Sequence, residues 1–442
     1  MFESLLIANR GEIARRINRT AQQMGIRTIA VYSDADEGTP HVLEADEAVH
    51  IGPADPASSY LNIEAIIAAA KSTGAQAIHP GYGFCSEKAD AAAAVLSAGL
   101  AWVGPSPQAI TAMGDKVNAR NLMAEHGVPV AAGGDTPVTN TAEALAAAPQ
   151  IGYPIMVKAA AGGGGMGMAI AHDESELAAQ AEKISAFASR LFGSADLLLE
   201  RYFPRVRHIE VQVLGLADGR VIALQERECS VQRRHQKLVE ETPSPAVEQQ
   251  LRARMLAASR AAAEAVDYRG AGTIEYLLDA DTGEFYFLEM NTRLQVEHPI
   301  TEAVHGIDLV KAQLQIAAGE ATDPMPEARG HAIELRINAE DSKRFLPGPG
   351  TISTWRAPTG EGVRVDAGYA EGDTVPRYYD SLMAKLIVSG SDRADAIRRA
   401  AAAAADFDIV GPKSNLEFHR ELLGNDEFLG GKYDTGIVGR MR

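Results

Sequence analysis

The sequence predicts two architectures in succession: an α/β, doubly wound parallel sheet first, and an antiparallel α+β region after it. Three observations carry this. Residues 1–113 alternate short apolar runs with amphipathic stretches. Tyr153–Ala159 is an apolar run ending its core at Lys158, followed by a glycine-rich loop and a second apolar run. Beyond residue 205 the pattern turns to period 2, interrupted by alanine-rich helical stretches.

In the first region, residues 1–113, the patterning predicts strands at Leu5–Ala8, Thr28–Tyr32, Ala77–His79 and Ala101–Val103. Helices are expected over Gly11–Met24, Asn62–Ser72 and Glu87–Ser97. Such βαβ alternation implies a parallel sheet, with ligands at the carboxyl ends of its strands. His79-Pro-Gly-Tyr82-Gly-Phe84 sits at one such end and reads as either a binding loop or an ordinary Pro-Gly turn. Asn9-Arg10-Gly11 carries one glycine, so the three-glycine dinucleotide fingerprint is absent.

The second region spans 114–204. Its strand through Lys158 leads into Gly162-Gly163-Gly164-Gly165 and a returning strand at Ala169–Ala171. Bare backbone N–H groups beside one cation suit a mobile lid over phosphates, with the lid module at about 130–204. A flexible hairpin tip is the plainer alternative. No Gly-Lys-Ser/Thr follows the glycines, so this is not a Walker A loop.

The third region, 205–442, has period-2 runs at His208–Val213 and Val221–Leu224 and helix-forming stretches at Gln249–Val266 and Arg393–Phe407. Gln225–Lys237 is the densest cationic patch, either a solvated charge run or an anion site. After Phe285-Tyr-Phe-Leu, every second residue is polar: Glu289, Asn291, Arg293, Gln295 and Glu297. In an extended chain these share one face, roughly 6–7 Å apart. Upstream, Glu275 interrupts an apolar run as well. Two acids on adjoining strands suit a hard cation that bridges substrate phosphates. A solvated edge strand would show the same alternation.

Composition narrows the function. The chain has 442 residues, room for two or three domains, and a net charge of −17. That charge excludes a nucleic-acid or anionic-membrane surface, so anionic ligands must meet a few local cations. Cys85 and Cys229 are the only cysteines, too few for a disulfide framework or a thiolate metal site. The opening residues are acidic and no run of about 18 apolar residues occurs, so cytoplasm is expected.

Several motifs reach a family. Ile7-Ala-Asn-Arg-Gly-Glu-Ile-Ala14, His79–Phe84, Met113-Gly-Asp-Lys116, Gln232-Arg-Arg-His235-Gln-Lys237 and Glu289–Pro299 resemble the ATP-grasp enzymes, and more narrowly biotin carboxylase. Arg336-Ile-Asn-Ala-Glu-Asp341 and Tyr378-Tyr-Asp-Ser381 extend the likeness to essentially the whole chain. The implied activity is ATP-dependent carboxylation of carrier-borne biotin by bicarbonate, through carboxyphosphate. The implied partners are a biotin carboxyl carrier protein or domain, a carboxyltransferase subunit that chooses the final acceptor, and a second copy in a homodimer. No Ala-Met-Lys-Met biotinylation site occurs, so the carrier is a separate protein or a segment outside this chain.

The resemblance also distributes roles. Lys116, Lys158 and Gly162–Gly165 would hold ATP phosphates. Glu200, Arg201, Phe203 and Leu277 would line the adenine pocket, with His208, Gln232 and His235 reaching the nucleotide. Glu275 and Glu289 would carry magnesium or manganese, with Asn291 alongside. Lys237, Arg293, Gln295 and Val296 would bind bicarbonate, Glu297 would be its base, and Arg336 would face biotin near Tyr82. The chemistry asks for such groups: bicarbonate is a feeble nucleophile that needs a positioned base, and a biotin enolate needs a cation that keeps its proton. Two other readings use the same residues: another ATP-grasp bicarbonate or carboxylate ligase, and a silent ATP-binding subunit. The Gln232–Lys237 and Arg336–Asp341 motifs speak against the first, and intact Glu275, Glu289, Arg293 and Glu297 against the second.

The chain departs from the family at Ala161, usually glycine, at Met166, usually basic, at Glu228, usually aspartate, and at Lys88, usually asparagine. Only Met166 bears on the nucleotide. A thioether donates nothing to a phosphate, whereas an added charged hydrogen bond on a wet loop contributes about 1 kcal/mol. Met166→Arg is therefore expected to lower the KM for ATP severalfold at fixed bicarbonate and biotin. An unchanged KM would mean that this side chain lies away from the phosphates.

Overall fold

The first strands are short, wholly buried and joined by helices, and so they pair in parallel. This computed structural model describes residues 1–134, 136–160 and 167–442. Strands β1 (Ser4–Ile7), β2 (Arg27–Ser33), β3 (Glu47–Gly52), β4 (Ala77–His79) and β5 (Ala101–Trp102) form a sheet in the order β3-β2-β1-β4-β5. The order reverses between β1 and β4, and a doubly wound sheet opens its crevice at that switch point. The turns Asn9–Gly11 and Pro80–Phe84 flank it. Asn9 Nδ2 donates to the carbonyls of Pro80 at 2.7 Å and Tyr82 at 2.8 Å. A Cβ on Gly81, which sits at φ 64°, would lie 2.8 Å from Asn9 Nδ2, so this turn needs glycine. The first helix, Gly11–Gln23, buries Ile13, Ile17 and Ala21 at helical spacing and also buries Glu12 and Arg16. The expected helix at Glu87 begins at Ala89, leaving Glu87 exposed ahead of it.

The second region is a three-stranded antiparallel sheet, β7-β6-β8, from β6 (Ile155–Ala159), β7 (Met168–Ala171) and β8 (Leu197–Arg201). It shares a core of its own with helices Thr141–Ile151 and Glu174–Phe192.

The third region is an eight-stranded antiparallel sheet. Its strands are β9 (Val206–Gly215), β10 (Val221–Arg233), β11 (Gln236–Thr242), β12 (Gly270–Asp279), β13 (Phe285–Asn291), β14 (His331–Asn338), β15 (Val363–Ala367) and β16 (Leu382–Gly390). Their order is β13-β12-β9-β10-β11-β14-β16-β15. One half packs under helix Gln249–Glu264 around Val211, Ile274 and Tyr276. The other packs under helix Arg393–Asp406 around Ile333, Leu335 and Leu386. Leu5 and Ile7 share a third core with Leu214 and Ala271, which joins the parallel sheet to the large one.

One expectation changes here. The polar alternation over Glu289–Glu297 is not one strand: β13 stops at Asn291, and a helix begins at His298 with Pro299 in its first turn. The Thr292 amide, the first beyond the strand, donates to Glu87 Oε1 at 3.3 Å. The Gln225–Lys237 patch lies on a β-hairpin. It is strand up to Arg233, then a two-residue turn at Arg234 and His235 with φ of 49° and 67°. Both values suit a tight hairpin, which usually recruits asparagine or glycine. Among the described residues no helix is long and apolar enough to cross a membrane.

Candidate active site

The site grows from a row of cross-strand neighbours. Antiparallel register sets Glu289 opposite Glu275, Glu275 opposite Glu210, and Glu210 opposite Arg227. Directly opposed like charges destabilise a sheet, so three abreast need compensating cations. The period-2 run His208, Glu210, Gln212 supplies the middle of this row, and all three are buried. Its alternation therefore marks an interior polar face.

Two cations answer the acids from opposite sides. Arg227 is fully buried, donating to Glu210 Oε1 at 2.6 Å and to Gln295 Oε1 at 2.7 Å. The Lys237 ammonium, on β11, reaches Glu210 at 2.5 Å, Glu297 at 2.7 Å and Glu275 at 2.9 Å. Burial alone would push the Glu275 carboxyl up, but Lys237 and His208 hold it well below the usual carboxylate range. Glu297 behaves alike: burial opposes ionisation, and Lys237, Arg336 and Arg227 outweigh it. Glu289 goes the other way, raised by burial and then by Glu275.

That contrast tests the fit of a metal. Glu289 and Glu275 are direct cross-strand neighbours, the charge of Glu275 disfavours ionisation of Glu289, and Asn291 Nδ2 donates to Glu275 Oε1 at 2.9 Å. A hard divalent cation relieves this repulsion, so the residues present fit magnesium or manganese. His208, Glu210 and Glu275 also lie close enough to share an ion. Two acids with an adjacent carboxamide suit the hard cation better.

The remaining expected residues fall into three groups. Glu297 touches Lys237 directly, Gln295 and Arg336 share its partners Glu275 and Glu297, and Arg293 and Val296 lie on the same segment. Arg293 donates to Glu87 at 2.9 Å and to Asn291 Oδ1 at 2.9 Å; Gln295 Nε2 donates to Glu275 at 2.8 Å. Arg336, on β14, bridges Glu240 at 2.7 Å and Glu297 at 2.9 Å. Tyr82 donates to Glu12, and its hydroxyl feels the charge of Arg336. A second group lines strand ends: His208 Nδ1 lies 3.5 Å from Gln232 Nε2, Leu277 pairs with Tyr286, and Phe203 stacks on Tyr286 at 4.8 Å. His235 stands exposed at the hairpin turn. In the third group, Lys158 pairs with Glu200, Arg201 donates to the Tyr153 carbonyl, and Lys116 opens helix Lys116–Glu125, where its charge acts on Glu289. Gly162–Gly165, with Ala161 and Met166, lie outside the described residues.

Sequence reasoning missed Glu210, Arg227, Glu240, Glu87, Glu12 and Lys385, which frame these groups. Glu210 had a local signal in the His208–Gln212 alternation, Arg227 lay inside the Gln225–Lys237 patch, and Glu12 inside the Ile7–Ala14 motif. Glu240 faces Glu334 in register, and both Glu334 oxygens are buried without a hydrogen-bond partner.

Comparison with known proteins converges on one family. The biotin carboxylase N-terminal domain model matches residues 1–110 and the C-terminal domain model residues 334–440. Between them, residues 115–324 match the carbamoyl-phosphate synthase L chain ATP-binding domain. Biotin carboxylase of Pseudomonas aeruginosa is 48% identical over 435 residues, covering 98% of this chain and 96% of that relative. A pyruvate carboxylase subunit of Methanothermobacter thermautotrophicus is 46% identical, covering 100% of this chain and 90% of that one. Biotin carboxylase of Campylobacter jejuni superposes with a TM-score of 0.96 at 43% identity, covering 100% and 99% of the two chains. The biotin carboxylase domain dimer of Hydrogenobacter thermophilus 2-oxoglutarate carboxylase, solved with MgADP, ADP and bicarbonate, gives 0.94 at 42% identity, covering 100% and 98%.

Fold and site together define an ATP-grasp ligase. Within that class the chain belongs to the biotin carboxylase family. Its reaction is the ATP-dependent carboxylation of biotin by bicarbonate with magnesium, the first half-reaction of a biotin-dependent carboxylase.

Burial pushes the Glu240 carboxyl up to about 7 against the pull of Arg336, with Glu297 adding to the push. The folded state thus keeps a proton that the unfolded chain releases near its ordinary value of 4.5. Stability from this source is full below that value and is lost as pH rises through about 7. Glu240→Gln, which cannot ionise, should gain thermal midpoint relative to the native chain between pH 5 and 8. A constant difference across that range would remove Glu240 from the balance.

Proposed function

We propose that Glu297 is the general base toward bicarbonate, held between Lys237 and Arg336. The observation that carries this is the Lys237 ammonium, which touches Glu297, Glu275 and Glu210 within 2.9 Å. A lysine so placed ties the base to the metal-facing acid, so an anion seated there meets a proton acceptor and the phosphoryl donor together. Glu297 stays ionised through the physiological range, which suits proton acceptance once the anion loosens its grip on Lys237. Arg293 and the Gln295–Val296 segment complete the anion pocket. Arg293 sits at the rim with Glu87 as an exchangeable partner.

Magnesium, bound by Glu275 and Glu289 with Asn291 alongside, would neutralise charge on the transferred phosphoryl group. Lys116, Lys158 and the Gly162–Gly165 amides hold the phosphates. Glu200, Arg201, Phe203 and Leu277 take the adenine, and His208, Gln232 and His235 steady the nucleotide. Arg336, next to Tyr82, faces biotin, where a guanidinium stabilises developing negative charge without giving up a proton. Divisions near residues 113 and 204 separate the N-terminal domain, the lid-bearing part and the rest. The partners in this reading are a biotin carboxyl carrier, a carboxyltransferase and a second copy of the chain. Relatives described as a domain dimer and as one subunit of a carboxylase support it. The cytoplasm, where ATP is supplied, is its place.

Glu297→Gln is expected to bind ATP normally and lose most bicarbonate-dependent ATP cleavage, by about 10²–10⁴-fold. Unchanged cleavage would take Glu297 out of the mechanism. Arg336→Ala should depress carboxylation of free biotin more than the slow ATP cleavage measured without biotin. An equal fall in both would assign Arg336 to the nucleotide or the fold.

A further inference from the structure

The Asn-Arg-Gly-Glu motif at the head of the first helix has no part in the chemistry above, yet its glutamate is buried deep in the molecule. Glu12 is 4% exposed, and its Oε2 lies 3.0 Å from the Nζ of Lys385, whose side chain is wholly buried. Lys385 is on β16, directly opposite Arg336 on β14, so the two side chains leave the sheet on the same face. Arg336 donates to the Glu297 carboxylate at 2.9 Å, while Lys385 donates to the carbonyl of Val296 at 2.9 Å. The two cations thus grip consecutive residues. Lys385 sets the peptide, and Arg336 sets the carboxylate that follows it. The other oxygen of Glu12 accepts from Tyr82, whose turn is held by Asn9.

We infer that Lys385, anchored by Glu12, is a positioning residue for the Gln295–Glu297 segment, and that Glu12 locks this segment to the Tyr82 turn. The segment leaves β13 at Asn291 and enters a helix at His298, so no strand ladder fixes it. A buried ammonium on a backbone carbonyl fixes the segment's main chain, beside the hydrogen bonds that hold the Gln295 side chain. Its burial has a consequence: only nearby carboxylates keep such a cation inside, and Glu12, at 3.0 Å, is the one in ion-pair contact among the described residues, with Glu334 and Asp366 also feeling its charge. The inference rests on the reading of Glu297 as the base.

The test uses the full chain. Lys385→Met removes the grip on Val296 but strands Glu12, so Glu12→Gln/Lys385→Met, which removes both buried charges, is made beside it. Bicarbonate-dependent ATP cleavage without biotin is measured per nucleotide-binding site, with the Kd and KM for ATP taken on the same samples. Glu297→Gln runs as the control. The double variant should keep the native number of ATP sites and the native KM for ATP, with kcat lower by about 10²-fold, as a displacement near 1 Å produces. A native kcat in the double variant beside a slow Glu297→Gln would overturn the positioning role and leave the base reading intact. A fully active Glu297→Gln would bring down the base reading itself. If the double variant fails to fold, or loses activity only in proportion to its ATP sites, the pair is structural and the inference falls.

Discussion

The whole site depends on one ammonium group. Three carboxylates from three separate segments converge on Lys237, and without it Glu210, Glu275 and Glu297 would confront each other in a water-poor interior. Leaving such a group unpaired is among the most destabilising changes available to a protein. In the proposed reading the same lysine also receives the substrate anion. Folding and binding thus draw on one charge, so the site cannot be rearranged piecemeal.

Arg227 stabilises the arrangement from beneath. Its five donors are spread over Glu210, Gln212, Thr273, Gln295 and Thr301, which fixes both the acid row and the Gln295 side chain. With Gln295 committed at both ends, to Arg227 and to Glu275, the loop after β13 keeps a defined path. Mobility is thereby kept away from the atoms that must meet.

Much of this was legible in the residues. Apolar runs announced the parallel sheet. Acids inside apolar strands marked Glu275 and Glu289, and the cationic run ending at Lys237 stood out in an acidic chain. Local pattern failed in two ways. Glu289–Glu297 kept its alternation after the strand had ended at Asn291, where the chain turns toward Glu87, some two hundred residues upstream. Glu12, Arg227 and Lys385 received no individual role, because their partners lie across the sheet or in another domain and no spacing encodes a long-range ion pair. The hidden polar face of β9 was visible only as a period, which reads the same whether the face is wet or dry.

The cations of the site also differ in how firmly each is held. Lys237, Arg227 and Arg336 answer to buried acids, whereas Arg293 is shared with Glu87, whose side chain is 41% exposed. An ion pair with one partner that exposed contributes less than a buried one and exchanges more readily. In the proposed reading Arg293 is therefore the cation handed over, and an incoming anion displaces only the rim glutamate. Admission then becomes an exchange of partners at the doorway, while the charge pairing of the interior stays unchanged.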